Sequence, residues 1–235
     1  MFDSMIWIIR CRERKLCNEK NCCMYANNER LPNKNIKKFD DGDPLLTYML
    51  NTLTKIEAID EIYVYCSSDE IKKYLPENVK FLKRDPKFDK DTASINELLK
   101  SFAQKISSEI YILAHATAPF VSKEKIEEGI TKVQSKKFDS AFTVKEIQEF
   151  LWRDNKPINY NLDNIPRTQD LQPIYSETSG IYIYTREVIE KYNRRIGKKP
   201  YLIKVSAIEA IDIDNIEDFQ IANAVYSKLL KDKIY

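Results

Sequence analysis

Glu61-Ile62-Tyr63-Val64-Tyr65-Cys66, followed at once by Ser67-Ser68-Asp69, is the stretch on which the fold turns. Four consecutive β-branched and aromatic residues read as a buried strand. The Ser-Ser-Asp triplet then supplies the side-chain oxygens that open a helix, here running through Tyr74. The same handover recurs on either side. Leu45 to Leu53 reads as a helix after the Asp41-Gly42-Asp43-Pro44 turn, and Val79 to Leu82 as a short strand. Thr92 to Ile106 carries Ile95, Leu98, Leu99, Phe102 and Ile106 at helical spacing, with Ser94 at its start. Ile110 to Leu113 is a buried strand that stops at Ala114-His115-Ala116-Thr117-Ala118-Pro119. Ser122 caps a helix from Lys123 to about Gln134, Ser140 to Val144 is a strand, and Ile216 to Leu230 closes the chain as a helix. Strand–helix alternation predicts an α/β fold, a mostly parallel sheet with helices on both faces.

In such sheets ligands sit beyond the carboxyl ends of the strands. The loops after Ala26, Cys66, Leu113 and Asp212 are therefore the candidate site. The rhythm breaks from about 150 to 180, a stretch rich in Asn, Pro, Arg and Gln, which reads as an arm before Ile181 to Tyr184 returns to the core. Two strand candidates, Met5 to Cys11 and Cys22 to Ala26, precede the first of those loops. The second leads directly into it and is preferred, leaving 1–21 as an N-terminal extension. The alternative makes Ile8 to Arg12 the first strand, with an insertion behind it.

The chain has 235 residues, 43% hydrophobic and 31% charged, which suits one domain with a real core over 1–235. A net charge of +2 offers no electrostatic footprint for duplex nucleic acid. No apolar run approaches 18 residues, so no membrane span is expected. The apolar patch Met5 to Ile9 precedes its basic residues, the wrong order for a secretory signal. Five cysteines and a single histidine lack the repeated spacing of a zinc site, and reduced thiols in a cytoplasmic protein are the expectation. Only four glycines occur, which excludes a Walker A loop and a G-x-G-x-x-G fingerprint.

Arg30-Leu31-Pro32-Asn33-Lys34-Asn35 places two cations four residues apart in a polar loop stiffened by proline. Such a loop is either an ordinary basic turn or a cradle for polyphosphate. Glu209-Ala210-Ile211-Asp212-Ile213-Asp214 tips the balance. Read as a strand, its alternation puts Asp212 and Asp214 on one side, either the polar face of a solvent-facing edge strand or two hard oxygen ligands suited to Mg²⁺ with substrate phosphates. Arg84 and the loop Asp91-Thr92-Ala93-Ser94 stand where a base or sugar edge would be read. His115, just past a buried strand, is either a structural imidazole or a ligand contact. Arg167, Gln169 and Tyr175 lie on the arm, as dimer contacts or as substrate contacts.

Taken in order, these segments resemble the acylneuraminate cytidylyltransferases, the CMP-sugar synthetases, from about Tyr25 to Leu229. The landmarks are Arg30 to Asn35, Ser67-Ser68-Asp69, Asp91 to Ser94, His115 to Pro119, Asp139-Ser140, Pro166 to Leu171 and Ile211 to Asp214. The resemblance implies a three-layer, Rossmann-like nucleotide-diphospho-sugar transferase fold with a mixed, mostly parallel sheet and a small dimerisation arm. It implies CTP plus an acidic sugar giving the CMP-sugar and pyrophosphate, in a cytoplasmic, Mg²⁺-dependent homodimer serving surface-glycan synthesis. By carry-over Lys34 and Arg30 hold the triphosphate. Ala26, Asn27, Asn28, Asn35, Arg84 and Ala93 line the nucleotide, and His115 and Thr117 meet the sugar, with Arg167, Gln169 and Tyr175 from the arm. Asp212 and Asp214 hold the metal, Asp214 also serving catalysis.

The chain departs from the pattern at two places. Tyr25-Ala26-Asn27-Asn28-Glu29 stands where the family has Ala-Arg and then Ser, so a phosphate-binding arginine is missing unless Arg10 or Arg12 replaces it. Ser176 and Thr178-Ser179-Gly180 replace the Arg and Asn-Gly of the sialic-acid enzymes. A related nonulosonate, a phosphate or phosphonate acceptor, or a nucleotide-binding homologue without activity are the readings those departures leave open.

Overall fold

The computed structural model describes residues 7–11, 22–24, 31, 34–40, 42–90 and 93–230, with side chains excepted at 7–11, 22–24 and 230. In chain order the elements are β1 (Trp7–Cys11), β2 (Cys22–Met24), α1 (Leu45–Thr54), β3 (Ile59–Cys66), β4 (Val79–Lys83), α2 (Ile95–Lys105), β5 (Ile110–Ala114) and α3 (Lys123–Gln134). Then follow β6 (Ser140–Ile147), the short pair β7 (Trp152–Arg153) and β8 (Lys156–Pro157), β9 (Ile174–Thr185), α4 (Arg186–Tyr192), β10 (Pro200–Lys204) and α5 (Ile216–Val225).

The main sheet runs β10-β6-β9-β5-β1-β3-β4, with β2 paired on β1. β3 and β4 pair in parallel, as do β6 and β10, while β1 and β9 are antiparallel to each of their neighbours. Five strands of the path therefore share one direction, and β1 and β9 run against them. The sheet is mixed and mostly parallel by direction, although most neighbouring pairs are antiparallel because the two reversed strands are interleaved. Both N-terminal strand candidates form. The earlier one, β1, sits in the middle of the sheet between β5 and β3, and the preferred one, β2, flanks it.

β5 is buried along its whole length, and β3 from Ile62 onward. That is the continuous apolar run expected of a strand covered on both faces. α2 opens with a capping box: Ser94 accepts from the Asn96 N–H, and Glu97 reaches back to the Ser94 N–H. It buries Leu98, Leu99 and Phe102. α3 packs on β6, β9 and β10. Gly129 allows the close approach, since a Cβ there would lie 2.5 Å from Ile203 Cδ1 and 2.6 Å from Ile183 Cδ1.

Three expectations need correction. The Glu209–Asp214 segment is not a strand. Residues 207–210 form a turn, closed by the Ala210 N–H to Ser206 O and the Ile211 N–H to Ile208 O, and 211–214 carries no ladder. The last sheet strand is instead β10, which pairs with β6 from Pro200↔Ser140 to Lys204↔Val144 at the edge of the sheet. The arm is shorter than 150–180. β9 begins at Ile174 and pairs with Ile147, so only the stretch between them leaves the sheet. Ser122 does not cap α3 with its side chain. Its hydroxyl goes to Glu209, as described below.

A second, smaller core lies beside the sheet. Leu31, Phe39, Leu45, Tyr48, Phe120, Ile213, Phe219, Ala222 and Tyr226 are buried together. Phe39 is its hub, with ring centroids 5.2 Å from Tyr48, 5.2 Å from Tyr226 and 5.3 Å from Phe219. Each such aromatic pair contributes about 0.5–1.5 kcal/mol beyond its buried area. This cluster joins the segment around Leu31, the loop after β5 and α5, and so brings distant parts of the chain to one place.

Candidate active site

Lys34 opens a short 3₁₀ turn, Lys34–Ile36, and is fully buried. Its Nζ donates to the Ile213 carbonyl at 3.0 Å and to Asp214 Oδ1 at 3.2 Å. An ammonium has three donors, so one remains for a ligand. Beside it Asn35 is buried, and neither Oδ1 nor Nδ2 has a partner among the described residues. An unsatisfied buried amide costs about 1–3 kcal/mol for each group left unpaired. Such a cost is tolerated where a ligand later makes the bonds.

The carboxylates are positioned from three sides. The Ile213 N–H donates to Thr117 O at 2.9 Å, fastening the segment to the loop after β5, while the Ile213 side chain enters the second core. Glu209 accepts from the Ser122 N–H at 3.2 Å, from the Ser122 hydroxyl at 2.5 Å and from the Ser206 N–H at 2.9 Å. Burial pushes the Glu209 carboxyl up, but these bonds outweigh it and hold it below its ordinary value. Asp218 accepts from the N–H groups of Asp214 and Asn215, and Asn215 returns a cap to the Asp218 N–H. That box starts α5 immediately behind Asp214.

Asp212 is half-buried, and its Oδ1, shielded from water, has no hydrogen-bond partner among the described residues. Burial lifts its carboxyl to about 6. A Thr117 hydrogen bond and Lys34 pull it down, and the Asp214 and Asp218 charges push it up. Asp212 and Asp214 therefore share one space although they lie on no strand. Two carboxylates with an unsatisfied buried oxygen suit a hard divalent cation that takes its remaining ligands from phosphate and water. Among the described residues no group of three or more His, Cys, Asp or Glu forms a complete protein cage.

His115 follows β5, and its N–H donates to Gly180 O at 3.0 Å. Its ring lies 6.0 Å from that of Tyr182 on β9. Burial, then the Arg195 and Lys34 cations, holds its imidazole well below the usual histidine range, so it is neutral at pH 7. Thr117, two residues on, is buried. Arg84 follows β4 and is also buried, with its N–H donating to Cys66 O at 3.0 Å and its guanidinium paired with Asp89. Ala93, half-buried, stands just before the α2 cap.

The sequence-derived candidates thus fall into three groups. Lys34, Asn35, Thr117, Asp212 and Asp214 meet, with His115 close enough to feel Lys34. Arg84 and Ala93 lie at the ends of β4 and α2. The arm residues stand apart: Arg167 is taken up by Asp170 at 2.7 and 3.0 Å, and Gln169 is exposed. Tyr175 packs under Lys204 on β9, five residues and about 17 Å of strand from Gly180. Ala26, Asn27, Asn28 and Arg30 lie outside the described residues, as do the side chains of Arg10 and Arg12. Among the described cysteine side chains, Cys66 is a buried free thiol.

Tyr182 and Arg195, with Glu177 bonded to both, form a group beside His115 that no sequence motif marks. The Arg195 guanidinium lies 3.7 Å from the Tyr182 ring centroid and donates to Glu177 at 3.0 Å. Nor does any motif show that Glu209 locks the 206–214 turn. These links join residues remote in the chain and leave no local signal.

Fold and site together define an α/β protein in which loops beside the sheet bring a buried lysine, a buried amide and two aspartates to one place. The chain belongs to the cytidylyltransferase family, whose sequence model matches residues 26–232. It is 28% identical over 203 residues to an N-acylneuraminate cytidylyltransferase of Oncorhynchus mykiss, covering 82% of this chain and 46% of that protein. It is 22% identical to the protein of that name in Streptococcus agalactiae serotype V, covering 83% of this chain and 49% of the relative. The chain therefore spans about half the length of these curated relatives. A Campylobacter coli post-translational flagellin modification protein B is 24% identical, with coverage of 85% and 90%. Among solved structures, a CMP:2-keto-3-deoxy-manno-octonic acid synthetase complexed with CTP superposes with a TM-score of 0.62 at 12% identity, covering 86% of this chain and 95% of that one. A 4-diphosphocytidyl-2C-methyl-D-erythritol synthase of Anaerococcus prevotii gives 0.59 at 18% identity, covering 82% and 89%. These two likenesses are of fold.

Proposed function

We propose that this chain transfers CMP from CTP to an acidic sugar of the nonulosonate class, releasing pyrophosphate. The observation that carries this reading is the buried Asn35 amide without partners beside Lys34, which is itself tied to Asp214. That arrangement is incomplete as protein and is completed by a polyphosphate. Membership of the cytidylyltransferase family supports CTP as the donor. The names of the relatives, acylneuraminate enzymes and a flagellin-modification protein, support an acidic sugar and a role in surface-glycan synthesis.

In the reaction an acceptor hydroxyl oxygen attacks the α-phosphorus, the bond to the bridging oxygen breaks, and pyrophosphate leaves while the hydroxyl proton passes to solvent. Such a displacement needs positioning and charge neutralisation more than covalent catalysis. Lys34 supplies a fixed, desolvated cation toward the phosphates, and Asn35 supplies a donor and an acceptor already stripped of water. Arg84, buried and paired with Asp89, is the cation assigned to the base side of the nucleotide in this reading. Asp212 and Asp214 would hold Mg²⁺. When bound, that ion neutralises charge on the transferring and leaving phosphates.

The active form is proposed to be a homodimer built on the arm. Phe150, Trp152, Ile158, Leu162 and Ile165 are all exposed within sixteen residues, Trp152 at 53% and Ile165 at 60%. So dense an apolar surface on a projecting segment is suited to a second copy of itself. A cytoplasmic location is part of this proposal, since the donor is an intracellular nucleotide. Among the described residues no helix is long and apolar enough to cross a membrane.

The test is pyrophosphate release with each of the four NTPs across a panel of acidic sugars, with and without Mg²⁺. Release is expected with CTP, an acidic sugar and Mg²⁺ together. Absence of release with every acceptor, with no CTP-dependent rise in melting temperature, overturns the reading. Release with UTP but not CTP reassigns the donor.

A further inference from the structure

An acidic acceptor brings a carboxylate to a site whose Lys34 is committed to the phosphates, so it needs a second cation. Of three described candidates, His115, Arg167 and Arg195, the first two fail. His115 is neutral at pH 7 for the reasons given above. Arg167 is exposed and already held by Asp170 in two parallel bonds. Arg195 remains. It lies between α4 and β10, on a loop fixed by the Gly197 N–H to Ser140 Oγ at 2.8 Å and the Lys198 N–H to Asp139 Oδ2 at 2.7 Å. Its guanidinium is stacked 3.7 Å from the centroid of the buried Tyr182 ring. Tyr182 in turn is neighbour to His115, with ring centroids 6.0 Å apart. Glu177 accepts one bond from Arg195 at 3.0 Å and also takes the Tyr182 hydroxyl, locking the stack. A guanidinium has five donors in a rigid fork, so the Glu177 bond leaves room for a carboxylate. The Arg195 side chain is 22% exposed, open to solute yet held in place.

The geometry points to Arg195 as a specificity-determining residue that binds the acceptor's carboxylate, with Tyr182 as its platform and Glu177 as its positioning partner. This rests on the proposed transfer to an acidic sugar and goes beyond it by naming the group that selects the acid. The stack also constrains the ligand. Because Arg195 is held against Tyr182 and Tyr182 is neighbour to His115, the acid group is expected at the His115 side of the stack.

The experiment compares an N-acylneuraminate and 2-keto-3-deoxy-manno-octonate with their carboxyl methyl esters as acceptors. The proteins are the wild type, Arg195→Gln and Arg195→Lys, with Arg195→Met replacing the glutamine variant if its melting temperature collapses. For the wild type, transfer to the acid is expected to exceed transfer to the ester. Arg195→Gln is expected to raise KM for the acid by about 10–100-fold, the loss of a charged hydrogen-bonded pair. It should erase the preference for acid over ester and leave KM for CTP within about twofold. Arg195→Lys should restore part of the preference. If the wild type transfers CMP to the acid and the uncharged variant keeps the acid preference, the role of Arg195 is overturned and the proposed function stands. If the wild type transfers to neither acid, both the function and the role fall.

Discussion

Lys34 and Asp214, 180 residues apart, are joined by a 3.2 Å ion pair in which the lysine side chain is fully buried and the aspartate 36% exposed. The pair couples a loop near the N-terminus to the start of α5, and its asymmetry matters. The buried cation depends on Asp214 and the Ile213 carbonyl, whereas Asp214 keeps an open side toward solvent and ligand. A charge buried without its partner is costly, so each residue needs the other for stability before either serves chemistry.

Removing the Asp214 charge should therefore be separable from removing its volume. Asp214→Asn keeps an oxygen for Lys34 and is expected to fold, while turnover falls at least 100-fold as the phosphates lose metal and cation placement. Asp214→Ala should also abolish turnover and melt earlier than the asparagine variant. Lys34→Met, which fills the same space without charge, should retain the fold and lose about 10²–10³ in turnover. Pyrophosphate release and thermal melts measure both. Activity of Asp214→Asn or Lys34→Met within tenfold of wild type rejects the assignment.

Asp212 gives a pH dependence with an unusual sign. Its carboxyl is lifted by burial from 3.8 to about 6 in the folded chain, so between these values the folded state holds a proton that the unfolded state has lost. Its contribution to stability therefore declines as pH rises through this window, and at neutral pH it costs at most about 3 kcal/mol. Asp212→Asn removes the charge and with it the cost. The variant should melt above wild type at pH 8, with the difference vanishing by about pH 4, and it should be inactive. His115, depressed by burial, acts in the opposite sense near its ordinary pKa and is common to both proteins, so it cancels in the comparison. A wild type that melts above Asp212→Asn at pH 8 in the absence of Mg²⁺ refutes this account.

What was legible in the sequence follows burial. β3 and β5 are dense in apolar residues, α3 carries Ile126, Ile130 and Val133 at helical spacing between Ser122 and Ser135, and all three form where the pattern puts them. β10 was not legible, because Pro200 and Lys204 bound only three apolar residues and the strand lies on the sheet edge, where local pattern is weakest. The first half of β9 was hidden for a related reason: the polar residues Ser176 and Glu177 stand opposite Lys145 and Val144 of β6, and the register shifts just beyond them. Asp212 and Asp214 were read correctly as neighbours and wrongly as strand residues. Period-2 alternation also suits an extended segment held by one bond to Thr117 and by an isoleucine in a side core. Arg195 had no signal at all, since its meaning lies in the stack on Tyr182.

Arg84 offers a test of the nucleotide side. It is buried while its partner Asp89 is 35% exposed, so replacing the arginine leaves an aspartate that water can still reach. Arg84→Met should therefore cost little in the free protein. The loss should appear in the liganded state. A tenfold weaker CTP complex lowers the stabilisation at 100 Kd from about 2.7 to about 1.4 kcal/mol. Thermal shift against CTP concentration measures this, and an unchanged CTP-dependent shift removes Arg84 from the site.

The arm yields the last prediction. Trp152 lies in the β7–β8 hairpin, and Ile165 lies just before the 3₁₀ turn Thr168–Asp170, so both project from a segment with little core of its own. Left in water, each large side chain forgoes about 1.5–3 kcal/mol of burial. A partner arm recovers that for both copies at once in a twofold interface. Trp152→Glu combined with Ile165→Glu should shift the sedimentation equilibrium from dimer to monomer at micromolar concentration. The fold, read by far-ultraviolet circular dichroism, should not change, because neither side chain enters either core. If the arm carries Arg167 or Gln169 to the partner's acceptor site, the monomer also loses acceptor binding while its CTP-dependent thermal shift survives. A wild type that sediments as a monomer at every concentration, or a double variant that remains dimeric, shows that this apolar surface serves something other than self-association.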